Sequence, residues 1–93
     1  MVAAPRTICR EAEAGLHDKG DVVILLRPTP PGSGVTIAVD SRVMTLFGEQ
    51  IRASVAEEIA RCGLTDLQAE VTDQGALDYV IRARTQAAIE RAC

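Results

Sequence analysis

The spacing of apolar and polar positions changes several times along this chain, and each change predicts an element. Residues 7–16 (TICREAEAGL) alternate weakly, with Ile8, Ala12, Ala14 and Leu16 in phase, which predicts a first strand. VVILL, residues 22–26, is a β-branched run bounded by turn residues and is the clearest strand signal. PTPPGSG, residues 28–34, has too few amide donors to continue a sheet and predicts a loop. VTIAVD, residues 35–40, alternates cleanly, so Val35, Ile37 and Val39 are expected on a buried face with Thr36, Ala38 and Asp40 opposite.

From Ser41 the period becomes helical. Val43, Phe47, Ile51, Val55 and Ile59 recur every fourth residue, Met44, Ala60 and Cys62 widen the stripe, and Arg42, Glu49, Arg52, Glu57, Glu58 and Arg61 fall mostly outside it. The pattern predicts an amphipathic helix of about twenty residues. Asp40 or Ser41 is placed to cap its first turn, and Gly63 to end it in a left-handed conformation. Gly48, inside that helix, costs about 1 kcal/mol against alanine and implies close approach by another element. LQAEVTD, residues 67–73, alternates again through Leu67, Ala69 and Val71 and predicts another strand. Asp73 is then expected to open a second helix, with Leu77, Val80, Ile81, Ala88 and Ile89 on its buried side.

The order β-β-β-α-β-α predicts a two-layer α+β fold. It would pair a small, mostly antiparallel sheet, beginning with an N-terminal β-hairpin, with two helices packed on one face. No internal repeat or second composition class interrupts the chain, so residues 1–93 are expected to form a single domain.

Composition narrows the function. The chain is 47% hydrophobic and 25% charged, within the globular range. With no Trp, Tyr79 alone and Phe47 alone, the core must be aliphatic and there is little aromatic surface on which bases could stack. A net charge of −3 without a basic cluster argues against nucleic-acid binding. No apolar run approaches the roughly 18 to 20 residues of a membrane helix, and the first fifteen residues have no signal-peptide core. A cytoplasmic protein that binds no membrane is the expectation. Cys9, Cys62 and Cys93 are odd in number and widely spaced, unlike a disulfide framework or a zinc site. Cys62 reads as a small apolar filler, and nothing in the sequence assigns a role to Cys93.

No catalytic constellation and no metal-ligand spacing emerges. His17 is the only histidine and reads as a solvated turn residue. Glu57 and Glu58 are adjacent, hence about 100° apart around a helix, and do not form a dyad. A subunit without its own catalytic site is expected. The remaining feature is HDKGD, residues 17–21, which holds the only lysine in the chain. If residues 9–16 and 21–27 pair, Gly20 supplies the positive φ of the turn and Lys19 projects from a hairpin tip. An exposed tip on a rigid sheet suits a residue that must meet several partner proteins.

Three stretches carry a family resemblance: AGLHDKGDVVILL (14–26), VDSRVMTLFGEQI (39–51) and TDQGALDYVIRARTQAAIERA (72–92). Together they resemble the acyl carrier (gamma) subunit of bacterial citrate lyase, and more distantly the malonate decarboxylase carrier. The third is the most specific, through Asp73, Gly75, Ala76, Leu77, Asp78, Arg82, Ala83 and Arg84. The resemblance implies a carrier that works with lyase and acyltransferase-type subunits and with a modifying enzyme. In that family a phosphoribosyl dephospho-coenzyme A arm is joined by a phosphodiester to a serine, and its thiol holds acetyl and citryl thioesters. Counting back from Asp21 and Val22, that serine aligns with position 19, where this chain has Lys19. A lysine amine cannot form the phosphodiester, and Ser33 (proline loop), Ser41 (expected helix cap) and Ser54 (inside the helix) do not replace it. Three readings therefore stand at this point. Lys19 is an attachment point with a different linkage; or the chain is a non-carrier scaffold or regulatory subunit with no prosthetic group; or a serine-to-lysine change has been introduced into an otherwise standard carrier.

Overall fold

The structure, a computed structural model, describes residues 6–41 and 44–93. Its elements run β1 (Ala12–Ala14), β2 (Val22–Pro28), β3 (Val35–Ser41), α1 (Met44–Arg61), β4 (Leu67–Asp73) and α2 (Asp78–Ala92), in the order expected. The strands form one mixed sheet, β1-β2-β4-β3. β1 and β2 are antiparallel, as are β2 and β4, whereas β3 and β4 are parallel. The parallel pair follows from its connection, because α1 carries the chain back along the sheet between β3 and β4.

Paired residues share a face, so the register lays the core out in rows. Ala12, Leu26, Ala69 and Ile37 form one row and Ala14, Ile24, Val71 and Val39 the next. The last row, Val22, Asp73 and Ser41, places two polar residues on the core face. Asp73 is buried there and fully partnered: Ser41 Oγ donates to Oδ2 at 2.7 Å and the Ala76 amide to Oδ1 at 2.9 Å. Ile51, Val55 and Ile59 of α1 and Ile81, Ala88, Ile89 and Ala92 of α2 cover these rows. Thr85 is buried among them, its hydroxyl donating to the Ile81 carbonyl.

Several expectations are corrected. The first strand is only three residues long, because residues 8–10 instead meet the end of α2, where the Cys9 and Arg10 amides donate to the Ala92 carbonyl. Val35 is exposed and Ile37 and Val39 only half-buried, since β3 is an edge strand. Phe47 and Leu77, expected in the core, are 47% and 63% exposed. Both lie at the start of their helices, next to the last sheet row, and overhang the layer that would bury them. Asp73 ends β4 rather than opening a helix, and α2 starts at Asp78 with Leu77 at its N-cap. Asp40 and Ser41 end β3; the expected cap and Val43 involve residues 42–43, which lie outside the described residues. Gly63 has the left-handed φ of 67° expected of a helix stop, Gly48 is buried, and Cys62 is half-buried.

Candidate functional site

The site is built around the connection from β1 to β2. Gly15 begins it with a φ of 105°, and a Cβ there would lie 1.8 Å from the Val22 carbonyl oxygen, so only glycine fits. Asp18 to Asp21 then form a tight turn closed by the Asp21 amide donating to the Asp18 carbonyl at 3.0 Å. Lys19 occupies its second position and Gly20, with φ of 82°, its third, the arrangement of a type II turn. The side chain at the second position of such a turn points away from the hairpin, and Lys19 is exposed.

This tip is not free-standing. The Gly20 amide donates to the Gln74 carbonyl at 2.8 Å and the Gln74 amide donates back to the Asp21 carbonyl at 2.9 Å, docking the turn on the β4–α2 connection. Asp21 secures it further. Its Oδ1 accepts the Val22 amide at 2.8 Å and Arg84 Nε at 3.1 Å; its Oδ2 accepts the Leu16 amide at 3.2 Å and Arg84 Nη2 at 2.8 Å. One carboxylate thus joins both ends of the turn to α2. The Arg84 hydrogen bonds, opposed by partial burial and aided by the Val22 and Leu16 amides, hold the Asp21 carboxyl below its ordinary value. Lys19 takes part in none of these bonds.

A groove of about 290 Å³ opens beside the turn, between the first turns of the two helices. Phe47, Ile51, Ala76, Leu77 and Ile81 supply its apolar wall, with Gln50, Gly75, Asp73 and Asp78 completing it. Asp78 is anchored by Ser54, whose hydroxyl donates to Oδ1, and by Arg82 Nε, which donates to Oδ2 at 2.8 Å. Those bonds, Ser54 first, keep its carboxyl below the usual range. Arg82 also pairs with Glu57 at 2.9 Å and with Glu58 at 3.4 Å; its bonds to Asp78 first, and then to Glu57, push the guanidinium pKa up. Glu58, expected on an outer face, is buried between the helices and accepts from Arg61 and Gln86 as well. The adjacent pair is no dyad, but it converges on one arginine.

The other sequence candidates do not gather here. His17 is exposed in the turn with no serine or cysteine brought to it, and Cys9 and Cys93 are exposed at the far end of α2. Ser33 bonds to Pro30 within the proline loop, Ser54 is buried against Asp78, and Ser41 bonds to Asp73. Residues 15–21 carry no hydroxyl, so the turn does not fit an arm held by a serine phosphodiester. Among the described residues, no cluster of three or more His, Cys, Asp and Glu is placed to hold a metal, and no helix is long and apolar enough to cross a membrane.

Comparison with known proteins places these features. The family model for the malonate decarboxylase delta subunit (MdcD), of acyl carrier type, matches residues 9–92. The citrate lyase acyl carrier protein of Streptococcus equi subsp. zooepidemicus is 41% identical over 81 residues, covering 87% of this chain and 78% of its own. That of Pectobacterium carotovorum is 40% identical over 85 residues, covering 91% and 86%. Among solved structures, a chain of a Pseudomonas malonate decarboxylase hetero-tetramer in complex with malonate superposes with a TM-score of 0.81 over 99% of this chain and 93% of that one. At 23% identity the superposition speaks for the fold.

Proposed function

This chain belongs to the acyl carrier family of citrate lyase and malonate decarboxylase, and from that premise we propose that Lys19 is its attachment residue, presented to partner enzymes on a docked, rigid turn. The observation that carries the proposal is the pairing of an exposed, unengaged side chain with a backbone fixed by Gly15, Gly20, Asp21, Gln74 and Arg84. Such a platform holds the point of attachment still while leaving whatever is attached free to move between sites.

The linkage that suits an amine is an amide. Lys19 Nζ, as the free base, attacks the carbonyl carbon of a carboxyl group activated as an acyl adenylate or thioester. The N–C bond forms, the adenylate or thiolate leaves, and the amine proton passes to solvent or to a base of the modifying enzyme. The chain itself contributes position and exposure, and the chemistry on the carried group belongs to partner subunits of lyase and acyltransferase type. The Pseudomonas relative, a hetero-tetramer, supports the expectation of protein partners.

The test is the intact mass of the protein purified from its native host under conditions that induce its neighbouring genes, followed by peptide mapping. A mass increment on Lys19 supports the proposal. An unmodified Lys19 in a protein that still assembles with its partners refutes it and favours a scaffold or regulatory subunit.

A further inference from the structure

The groove beside the turn is not needed for presentation, yet it lies within reach of whatever Lys19 carries. Tracing from Lys19 through the Gly20 amide to the Gln74 carbonyl and on to Gly75, a groove residue, the two Cα atoms are at most about 8 Å apart. An extended lysine side chain bearing a four-carbon acyl group spans more than that. Its volume of about 290 Å³ is at the small end of ligand sites, enough for a short chain and too little for a cofactor. Leu16, Phe47, Leu77 and Tyr79 all lie at this end of the molecule, whereas Val35, the other large apolar residue exposed among the described residues, is at the opposite end of the sheet.

The charges at the groove select among occupants. Its titratable lining groups are Asp73 and Asp78, and no lysine, arginine or histidine joins them. Asp78 accepts from Ser54 and Arg82, and Glu49, next to the lining residue Gln50, is highly exposed and pairs with Arg52 at 3.8 Å. A carboxylate entering would face Asp73 and Asp78 with no cation in the lining to receive it, since Arg82 is already engaged by Asp78, Glu57 and Glu58, and would lose its hydration uncompensated. A neutral aliphatic segment would cover the exposed Phe47 and Leu77.

We propose that this groove is a resting seat for the neutral, aliphatic part of a group borne on the Lys19 amine, and that it turns away carboxylate-terminated groups. The inference deepens the reading of Lys19 as an attachment point and rests on it, but its test is independent of what the native host attaches. Because Lys19 is the only lysine, amine-directed acylation loads one side chain besides the chain terminus. The purified protein is acylated with the N-hydroxysuccinimide ester of a trifluoromethyl-terminated butyric acid, or with succinic anhydride. Lys19→Arg treated in the same way reports on the terminus alone.

For the butyryl adduct we expect fluorine-to-proton Overhauser contacts with the Phe47 ring and Leu77 methyls, and amide exchange at Val80 and Ile81 slowed about threefold to tenfold, as burial of two methylenes allows. Both effects should disappear in Leu77→Ser and Phe47→Ser, whose exposed side chains can change without unfolding the domain. The succinyl adduct should leave the groove resonances unmoved. A solvent-like fluorine signal with no groove contact overturns the seat, and equal occupancy by the succinyl group overturns its selectivity. Neither outcome depends on the native mass, so failure here and failure of Lys19 as the native attachment point are told apart.

Discussion

Replacing Arg84 by glutamine should loosen the turn that carries Lys19 without disturbing the core. The wild-type pair is bidentate, with contacts of 2.8 and 3.1 Å, and links residues 63 positions apart. Charge-assisted hydrogen bonds contribute about 1.5–3 kcal/mol each where solvent is excluded. Here the Arg84 side chain is 38% exposed and that of Asp21 13%, so water competes for the guanidinium more than for the carboxylate. Discounting for that screening gives a net loss of about 1–2 kcal/mol. Asp21 keeps its Leu16 and Val22 amides in the variant, which sets the upper bound. In a domain of this size the loss corresponds to a fall in melting temperature of about 5–15 °C.

The pH dependence has a definite sign. Because Asp21 is held below the ordinary value of 3.8 when folded, the stability it contributes is fully present above that value and is lost as pH falls through the folded pKa. The gap between wild type and Arg84→Gln should therefore be constant near neutrality and close below about pH 4. Urea denaturation at a series of pH values measures it, with amide exchange at Leu16 and Gly20 reporting the turn directly. Equal stability at pH 7, or a gap unchanged at the lowest pH where the domain stays folded, would refute the role given to this ion pair.

Gly15→Ala and Gly20→Ala should separate steric from conformational constraint. The first drives a methyl into the Val22 carbonyl and should cost about 3 kcal/mol or more, whereas the second meets nothing within 4 Å and should cost about 1–2 kcal/mol from its positive φ alone, both read by urea denaturation. Glu58→Ala removes a side chain only 3% exposed that ties Arg61, Arg82 and Gln86 together, and should lower the unfolding free energy by about 2 kcal/mol; Glu57→Ala, at an exposed site, should cost less than about 0.5 kcal/mol in the same assay. Asp66→Ala loses both a left-handed residue and the acceptor for the Gly32 and Gly34 amides, so chymotryptic cleavage at the nearby Leu64 and Leu67 should rise, while Asp66→Asn, which tolerates φ of 57° and keeps an acceptor, should stay close to wild type.

Sequence spacing is informative where an element's pattern and its burial are set by the same neighbours. β4 alternates because it is central, with β2 on one side, β3 on the other and helices over one face, so Leu67, Ala69 and Val71 are buried as their spacing predicts. The stripe of α1 is equally regular, but the sheet beneath it ends at the row of Val22, Asp73 and Ser41. Phe47 continues the period past that edge, which is why a correct helix assignment misplaces it. Leu77 fails for the same reason on α2. The site is partly legible in the same sense. The turn, its positive-φ glycine and its exposed lysine are local and follow from HDKGD, whereas the clamp of Arg84 on Asp21 joins residues far apart in the chain, and no short-range pattern encodes it. Glu58 is hidden from sequence reading by its charge, since its burial depends on Arg82 arriving from another helix.

The fold places almost no demand on the side chain at position 19, and this separates scaffold from chemistry. Every bond that shapes the turn is made by the backbone of Asp18, Gly20, Asp21 and Gln74 or by the carboxylate of Asp21. Lys19 contributes only a negative φ, which most residues adopt at the second position of such a turn. Lys19→Ser should therefore leave the unfolding free energy within about 0.5 kcal/mol of wild type, and its amide exchange pattern unchanged through residues 15–22. A loss greater than about 1 kcal/mol would mean that the lysine braces the turn, and its exposure could no longer be read as presentation. If stability holds, the same variant isolates function. Any partner activity that vanishes in Lys19→Ser while assembly persists must come from what the amine carries, because the platform beneath it has not moved.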